Sequence, residues 1–110
     1  MSSTSKGKAF ENFTADQMRQ MGIHIMYKSV RMRFGAIDFD GVWDIVGAKP
    51  LKDGVVEWWF VQCKSKRMYG KEMQPYSDWL QTYGFKGINC FVAVKTKNGR
   101  RTAIEWHKVA

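Results

Sequence analysis

Two neighbouring apolar segments in the middle of the chain constrain its fold most strongly. Val42–Gly47 and Val55–Lys64 are rich in the β-branched and aromatic residues that favour strands. The sequence between them carries turn-forming residues, namely Pro50 and the pair Asp53 and Gly54. Two strand segments separated by such a turn are typical of an antiparallel hairpin. The sequence therefore predicts a hairpin at the centre of the fold.

Helical and strand patterns surround this hairpin. Apolar residues that recur with a period near 3.6 indicate a helix, and alternating or continuous short apolar runs indicate strands. The predicted helices are Lys6–Met21 and Gln74–Tyr83, the other predicted strands are Ile23–Tyr27, Ile88–Lys95 and Arg101–His107, and 28–41 is interpreted as a loop. The resulting order is αβββαββ. Such an order favours an α/β fold in which helices flank a mixed sheet of about five strands.

The length and composition favour one compact domain. A chain of 110 residues is sufficient for a single domain, which we expect at 6–110 behind a flexible tail at 1–5. The sequence shows neither a signal peptide nor an apolar run that could span a membrane, so we expect an intracellular protein without a membrane partner. Cys63 and Cys90 lie in strand patterns, where buried free thiols are expected.

The charge of the chain indicates a polyanionic partner. The formal net charge is +8, and nucleic acid is the simplest explanation of such an excess, although solubility alone also favours a high net charge. The basic residues near the hairpin are Lys28, Arg31, Arg33, Lys64, Lys66, Arg67 and Lys71. Each one is compatible with an ordinary solvated surface, but together they predict a surface that contacts phosphates.

The hairpin also carries candidate catalytic groups. Asp44 interrupts the apolar pattern of its strand, where aspartate is unusual. Gln62 and Lys64 share one strand face, because residues two apart point the same way. With a backbone carbonyl, Asp44 and Gln62 offer the oxygen ligands that Mg²⁺ prefers, while Lys64 could stabilise negative charge on a phosphate. The same residues could instead mark the points where the two strands reach solvent, because this short pattern arises often by chance.

Two further expectations depend on the three-dimensional arrangement. Glu11, at the margin of the apolar arc of the first helix, could reach a site beside the sheet. The helix by itself favours a solvated acid near its N-terminus. In the hairpin, a register slip of one residue would turn Asp44 to the other face. Asp38 or Asp40 would then take its place.

In this order, the residues resemble the PD-(D/E)XK nuclease superfamily and, within it, the archaeal-type Holliday junction resolvases. The resemblance covers nearly the whole chain. Gly7–Glu11 resembles the opening helix of the family, and Phe91–Lys95 resembles its later apolar strand. Trp43–Val46 stands where the family has Pro-Asp followed by aliphatic residues, and Gln62–Lys66 stands at its Glu-x-Lys motif. Trp43 thus replaces a proline, and Gln62 replaces an acid.

The resemblance implies a restriction-endonuclease-like fold and a Mg²⁺-dependent endodeoxyribonuclease in which Mn²⁺ can substitute. Glu11, Asp44 and Gln62 would be the catalytic metal ligands, Lys64 the catalytic lysine, and Ser29 a DNA-contacting residue near the cleaved strand. A homodimer would resolve four-way (Holliday) junctions in branched double-stranded DNA. Such a small enzyme suits a virus, a phage or an archaeon.

Two alternatives remain open at this point. A nuclease of the same fold could act on flaps or ordinary duplex DNA. A basic DNA-binding module could also have lost catalysis, since Gln62 removes a ligand charge.

Overall fold

The computed structural model describes the backbone of residues 3–32 and 35–109 and the side chains of residues 7–30 and 37–109. Two α-helices and seven strands make up the described chain. In chain order they are α1 (Ser3–Gln20), β1 (His24–Lys28), β2 (Val30–Met32), β3 (Gly35–Ile37), β4 (Ile45–Pro50), β5 (Val56–Lys64), α2 (Gln74–Tyr83), β6 (Ile88–Asn98) and β7 (Arg101–Lys108). Short 3₁₀ turns at Lys52–Gly54 and Gly70–Met73 precede β5 and α2.

Five strands form one mixed sheet in the order β1-β4-β5-β6-β7. Neighbouring strands are antiparallel except for β5 and β6, which are parallel. A parallel pair needs a crossover connection, and α2 lies in the connection between these two strands. The predicted mixed α/β fold with a five-stranded sheet is confirmed, and so is the antiparallel pairing of the central hairpin.

The predicted element order αβββαββ is wrong because 28–41 is not a simple loop. It contains β2 and β3, which pair antiparallel in a separate two-stranded sheet. The strand predicted from Val42 begins instead at Ile45. The residues before it turn back, with the Phe39 amide donating to the Trp43 carbonyl at 2.7 Å. This turn places residues with positive φ between two apolar segments, which sequence periodicity does not detect.

Both faces of the sheet are buried, because adjacent residues of the central strands enter different cores. The core beneath α2 includes Val46, Phe60, Val92, Tyr76 and Trp79. The core beneath α1 includes Ile45, Val61, Ala93, Ala15 and Met18. A slip of one residue would exchange these sets of side chains, so packing on both faces fixes the register of the sheet. The polar residues at the strand ends are positioned by the same register.

Helix α1 packs on the sheet through only part of the predicted apolar arc. That arc was expected to contain Phe10, Phe13, Met18 and Met21, of which Phe10 and Met18 are buried, but Met21 is 39% exposed. Thr14, which is fully buried, lies on the inward face instead and donates to the Phe10 carbonyl at 2.8 Å. The helix begins at Ser3 rather than Lys6, inside the segment expected to be a tail.

Helix α2 has the predicted bounds, Gln74–Tyr83. Tyr76 and Trp79 are buried and pack their rings against Trp43, with centroids 5.4 and 5.5 Å away. The sequence predicts an apolar stripe of Tyr76, Trp79, Leu80 and Tyr83 along this helix, but Tyr83 is 55% exposed. No helix in the described part of the chain is long and apolar enough to cross a membrane.

Cys63 and Cys90 are not joined in a disulfide, as predicted. Cys90 is buried, and this burial raises the pKa of its thiol to about 11. Cys63 is only half-buried, so the expectation of burial is confirmed for Cys90 alone.

Gly47 marks a close approach between β4 and the end of α1. A Cβ atom at this position would lie 2.4 Å from the Ile23 Cγ2 atom and 3.2 Å from the Met18 Cε atom. We expect Gly47→Ala to lower the free energy of unfolding by about 1–3 kcal/mol, since Ile23 is buried and cannot move aside freely. Urea unfolding measures this change. Combined with Ile23→Ala, the loss should be less than additive, and full additivity would contradict the steric explanation.

Candidate active site

Three polar residues form a row across neighbouring strands β1, β4 and β5. Ser29 follows β1, and its amide donates to the Asp44 carbonyl at 2.7 Å. The Asp44 amide donates to the Val61 carbonyl at 3.0 Å, and β4 pairs with β5 so that Ile45 opposes Val61. Continuing this register by one residue places Asp44 opposite Gln62. Asp44 therefore lies beside Gln62, as predicted. The one-residue register slip that would turn Asp44 to the other face does not occur.

The Asp44 carboxyl group is held by several hydrogen-bond donors. Its Oδ2 atom accepts from the Cys63 amide at 2.8 Å, and its Oδ1 atom accepts from the Ser29 hydroxyl at 3.0 Å. The Gln62 amide nitrogen donates to Asp44 Oδ2 at 3.1 Å and to the Val42 carbonyl at 2.8 Å. Because both neighbouring atoms are oxygens, this orientation of the amide is the one that satisfies them. These hydrogen bonds fix the Asp44 carboxyl group in position. They also supply its polar partners in a buried site, where only 6% of the residue's surface is exposed.

Gln62 thus acts in this arrangement as a donor that positions Asp44. Its carbonyl oxygen lies at the other end of the amide group, away from the Asp44 carboxyl. The role of metal ligand predicted for Gln62 stays a prediction, and it requires that carbonyl oxygen. A glutamate could not donate to Asp44 in this way, since an ionised carboxylate only accepts.

Asp38 joins the site through Ser29. The Ser29 hydroxyl contacts Asp38 Oδ1 as well as Asp44 Oδ1. One hydroxyl has a single proton, so it donates to only one of these carboxyl groups at a time. The sequence presented Asp38 only as a substitute for Asp44, whereas the structure brings the two together. The sequence signal for this role of Asp38 was weak, because Asp38 follows the short strand β3, which apolar periodicity does not reveal.

The electrostatic environment of Asp44 is unusual for a carboxyl group. Its pKa is raised from 3.8 to about 7, chiefly by burial. The negative charges of Glu11 and Asp38 raise the pKa further, while the hydrogen bond from the Cys63 amide opposes the change. Strongly shifted values of this kind are concentrated at functional sites, although structural networks also produce them. The charges of Asp44 and Asp38 also add to the effect of burial that raises the pKa of Tyr76.

Tyr76 was missed as a member of the site. Its place in the apolar stripe of α2 favoured a purely structural role, and its ring does pack against Trp43. The shift in its pKa shows that its phenol also senses the two acids. A residue can serve both purposes because a tyrosine ring is apolar and its hydroxyl is polar.

Glu11 is buried beside the sheet, with 2% of its surface exposed. The interpretation of Glu11 as a solvated acid near the helix N-terminus is therefore wrong. It lies one turn before Ala15, on the inward face of α1, and its charge contributes to the raised pKa of Asp44. The α-helical period alone did not reveal this burial, because the exact face that meets the sheet depends on tertiary packing.

The predicted basic residues have different surroundings. Lys64 ends β5 opposite Val94, on the same strand face as Gln62, and is half-buried. The Lys28 ammonium group donates to the Asn12 side chain of α1. Lys66, Arg67 and Lys71 are exposed in the segment that follows Lys64. Arg33 and the side chain of Arg31 lie outside the described residues.

The donor set fits a hard divalent cation with water completing its coordination. Within the described side chains, no group of three or more Asp, Glu, His or Cys residues could hold a metal ion by itself. Asp44 nevertheless senses the charges of Glu11 and Asp38 in a buried site, where a cation would offset their repulsion. Mg²⁺ usually keeps several waters and needs only one or two protein carboxylates.

Comparison with known proteins found no match, since no family model, no curated protein and no solved structure matches this chain. The functional assignment therefore depends on the chemistry and geometry of the chain itself.

Proposed function

We propose that this chain is a metal-dependent DNA endonuclease with a restriction-endonuclease-like fold, and that it resolves four-way junctions as a homodimer. The observation that carries the proposal is the pairing of β4 with β5, which sets Asp44 opposite Gln62 and leaves Lys64 on the same face as Gln62. The buried Glu11 of α1 adds a second carboxyl group whose charge reaches Asp44.

The strand arrangement supports the same proposal. The antiparallel hairpin of β4 and β5 carries the acid and the Gln-x-Lys sequence. Helix α2 connects β5 to the parallel strand β6. We take this arrangement as support for the restriction-endonuclease-like fold that the resemblance to the PD-(D/E)XK superfamily leads us to propose. A restriction-endonuclease-like fold would therefore place the chemistry at the end of β5, beside the basic segment that follows it.

In this mechanism, Asp44 and Glu11 would hold Mg²⁺, and the Gln62 carbonyl oxygen is the third predicted ligand. When bound, a divalent cation would polarise the scissile phosphate and supply a more acidic water for the attack. Lys64 donates to phosphate oxygens as they gain charge during hydrolysis. Lys66, Arg67 and Lys71 hold the DNA backbone through phosphate contacts, which carry no sequence information.

Exposed aromatic residues beside α2 support the proposed homodimer. Phe39, Tyr83 and Phe85 are between 38% and 55% exposed. With Phe60 and Trp79 they line an apolar groove with a volume of about 480 Å³. Exposed apolar patches are typical of protein interfaces. A two-fold dimer through this groove would present two sites to opposite strands of a junction.

The proposed function is tested by cleavage of a labelled four-way junction, a matched linear duplex and a flap substrate in Mg²⁺, with EDTA as the metal-free control. We expect paired symmetric nicks in the junction and little cleavage of the duplex. Sedimentation of the protein on its own should show a dimer. In Phe85→Ser the dimer should weaken, because this variant removes an exposed ring from the apolar groove.

Each other outcome has a definite meaning. Cleavage of flaps or duplex at the same rate as the junction would replace junction resolution with a broader nuclease activity. Tight binding without cleavage in either Mg²⁺ or Mn²⁺ would overturn the enzyme proposal and leave a basic DNA-binding module.

A further inference from the structure

The side of β6 and β7 that points toward α1 is only partly covered. Helix α1 packs mainly on β1, β4 and β5. Next to the helix lies a groove with a volume of about 640 Å³, whose walls include Phe13 and Met21 of α1 and Ile104 and Trp106 of β7. None of the described residues that line this groove is acidic. An open and partly apolar surface therefore borders β7, which is the edge strand of the sheet.

Three aromatic rings form a cluster on this side of the sheet. Trp59 of β5 stacks on Phe91 of β6, with ring centroids 4.9 Å apart and an angle of 17° between the ring planes. Trp106 of β7 meets these two rings edge to face, at 6.3 and 5.8 Å. Both tryptophans pack against the core beneath α1, which places the cluster on the α1 side. All three residues are half-buried, so part of each side chain is accessible to a ligand.

Two exposed lysines flank this cluster along the hairpin of β6 and β7. Lys108 pairs with Phe91, and Lys97 pairs with Thr102 near the turn. Paired residues share a face of a sheet, and so do residues two apart along a strand, so both lysines point to the same side as Phe91 and Trp106. Their positions are about 20 Å apart, since six residues of β6 separate the two pairs. The β6–β7 face is the surface formed by Trp59, Phe91, Trp106, Lys97 and Lys108.

The combination of rings and lysines suits a single strand of nucleic acid. Proteins that bind such strands combine cations for the backbone with aromatic rings on which bases stack. In a duplex the bases are already stacked on one another, so the rings of this surface can reach only unpaired bases. Glu57, an acid on the same face of β5, accepts a hydrogen bond from the Trp59 indole at 2.7 Å. A second copy of the chain is a poorer occupant, because it would bring the same two lysines to the contact and like charges repel.

We propose that the β6–β7 face binds single-stranded DNA. Trp106 and Phe91 stack on bases, and Lys97 and Lys108 contact phosphates on either side of them. The choice of DNA over RNA rests on the proposed nuclease function, whereas the surface itself does not depend on it.

This surface is separate from the candidate active site. Gln62 and Lys64 share the strand face of Phe60, which belongs to the core beneath α2. The β6–β7 face lies on the other side of the sheet, where α1 packs. A DNA molecule with an unpaired segment can therefore occupy both surfaces, with its cleaved strand at one and its unpaired strand at the other.

The first test is the salt dependence of binding to an oligothymidylate of about 12 nucleotides, within the range of about 4–16 that single-strand-binding folds cover. EDTA is present throughout, so that binding is measured without cleavage. Lys97→Gln/Lys108→Gln should reduce the slope of log affinity against log salt by about 1.4, since each phosphate contact in a single strand contributes about 0.7. The matched control, Lys52→Gln/Lys86→Gln, removes two exposed charges outside β6 and β7 and should change the slope much less. Equal changes in the two double variants would overturn the proposal.

The second test concerns the aromatic rings. Trp106→Leu keeps an apolar side chain in the groove and should weaken binding to the oligothymidylate about 5- to 100-fold. On an abasic strand of the same length, wild type and Trp106→Leu should bind equally, because no base is present to stack. A loss of the same size on both strands would mean that Trp106 supports the fold without contacting bases, and base stacking on this face would be ruled out.

The third test needs no substitution. Lysines of the wild-type protein are acetylated with and without the oligothymidylate, and the modified positions are read by mass spectrometry. The DNA should protect Lys97 and Lys108 and leave Lys52 and Lys86 reactive. Protection of Lys97 and Lys108 that rises with protein concentration in the absence of DNA would assign the β6–β7 face to a second copy instead.

The two proposals fail in different ways. If the four-way junction is cleaved while wild type does not bind the oligothymidylate in EDTA, only the single-strand surface is wrong. If the oligothymidylate binds as expected and no DNA substrate is cleaved, only the proposed function is wrong. An oligouridylate that binds more tightly than the oligothymidylate would overturn the assignment to DNA.

Discussion

Asp44→Asn should make the metal-free protein more stable by as much as about 4 kcal/mol at pH 8, while abolishing cleavage. The reason is the pKa of Asp44, which is 3.8 in its ordinary state and about 7 in the fold. Between these values the folded state retains a proton that the unfolded state has released, so stability falls as the pH rises from about 4 to about 7. Above pH 7 the folded state bears the full cost of a buried charge beside Glu11 and Asp38.

Asparagine fits the hydrogen bonds of the protonated carboxyl group. Its amide oxygen can accept from the Cys63 amide and from Gln62, as Asp44 Oδ2 does. Its amide nitrogen can donate to Ser29, whose hydroxyl then donates to Asp38. The substitution therefore removes the charge without leaving a polar group unsatisfied.

Urea unfolding of wild type and Asp44→Asn in EDTA, at intervals from pH 4 to pH 8, measures this effect. The stability difference should be small at pH 4 and grow toward pH 8. The control is Asp78→Asn on the exposed surface of α2, which removes a carboxylate outside the buried site. A difference that stays constant over the whole range would contradict the proposed cause. Mg²⁺ should raise the melting temperature of wild type at pH 8 and have little effect on Asp44→Asn.

Lys64→Met should lower the single-turnover cleavage rate about 10²- to 10³-fold, the usual effect of removing one donor to a developing negative charge. Methionine keeps most of the aliphatic chain, so packing at the end of β5 should change little. The affinity for DNA should fall much less than the rate, because the proposed phosphate contacts are shared among several other basic residues. Cleavage with enzyme in excess separates the chemical step from binding.

Lys95→Met provides a matched control for this substitution. Lys95 is also a half-buried strand lysine, and it follows Val94, the residue that pairs with Lys64. Its side chain points to the other face of the sheet, because faces alternate along a strand. We expect Lys95→Met to cleave at the wild-type rate. Similar losses in the two variants would mean that Lys64 has no special role in the chemistry.

The elements with strong local patterns were predictable from the sequence. Helix α2 has the predicted bounds, and the central hairpin pairs antiparallel as expected. Each of these segments has an apolar period that matches its secondary structure over many residues. Strands β2 and β3 have only three residues each, which is too short for a period to be recognised.

In the candidate site, too, some features were predictable from the sequence and others were not. Asp44, Gln62 and Lys64 were identified because a polar residue in an apolar strand is conspicuous, and alternation along β5 shows which of its residues share a face. The burial of Glu11 and the link from Asp38 to Asp44 through Ser29 were not identified. They depend on contacts between residues that are far apart along the chain.

The sequence by itself thus determined the class of fold, the hairpin and the residue types of the site, since these follow from local periodicity and composition. Only the tertiary structure decided the surroundings of each site residue. The pKa of Asp44 depends on burial and on the charges of Glu11 and Asp38, which come from different elements. Desolvation and charge repulsion are properties of the assembled site, so no single segment of the chain encodes them.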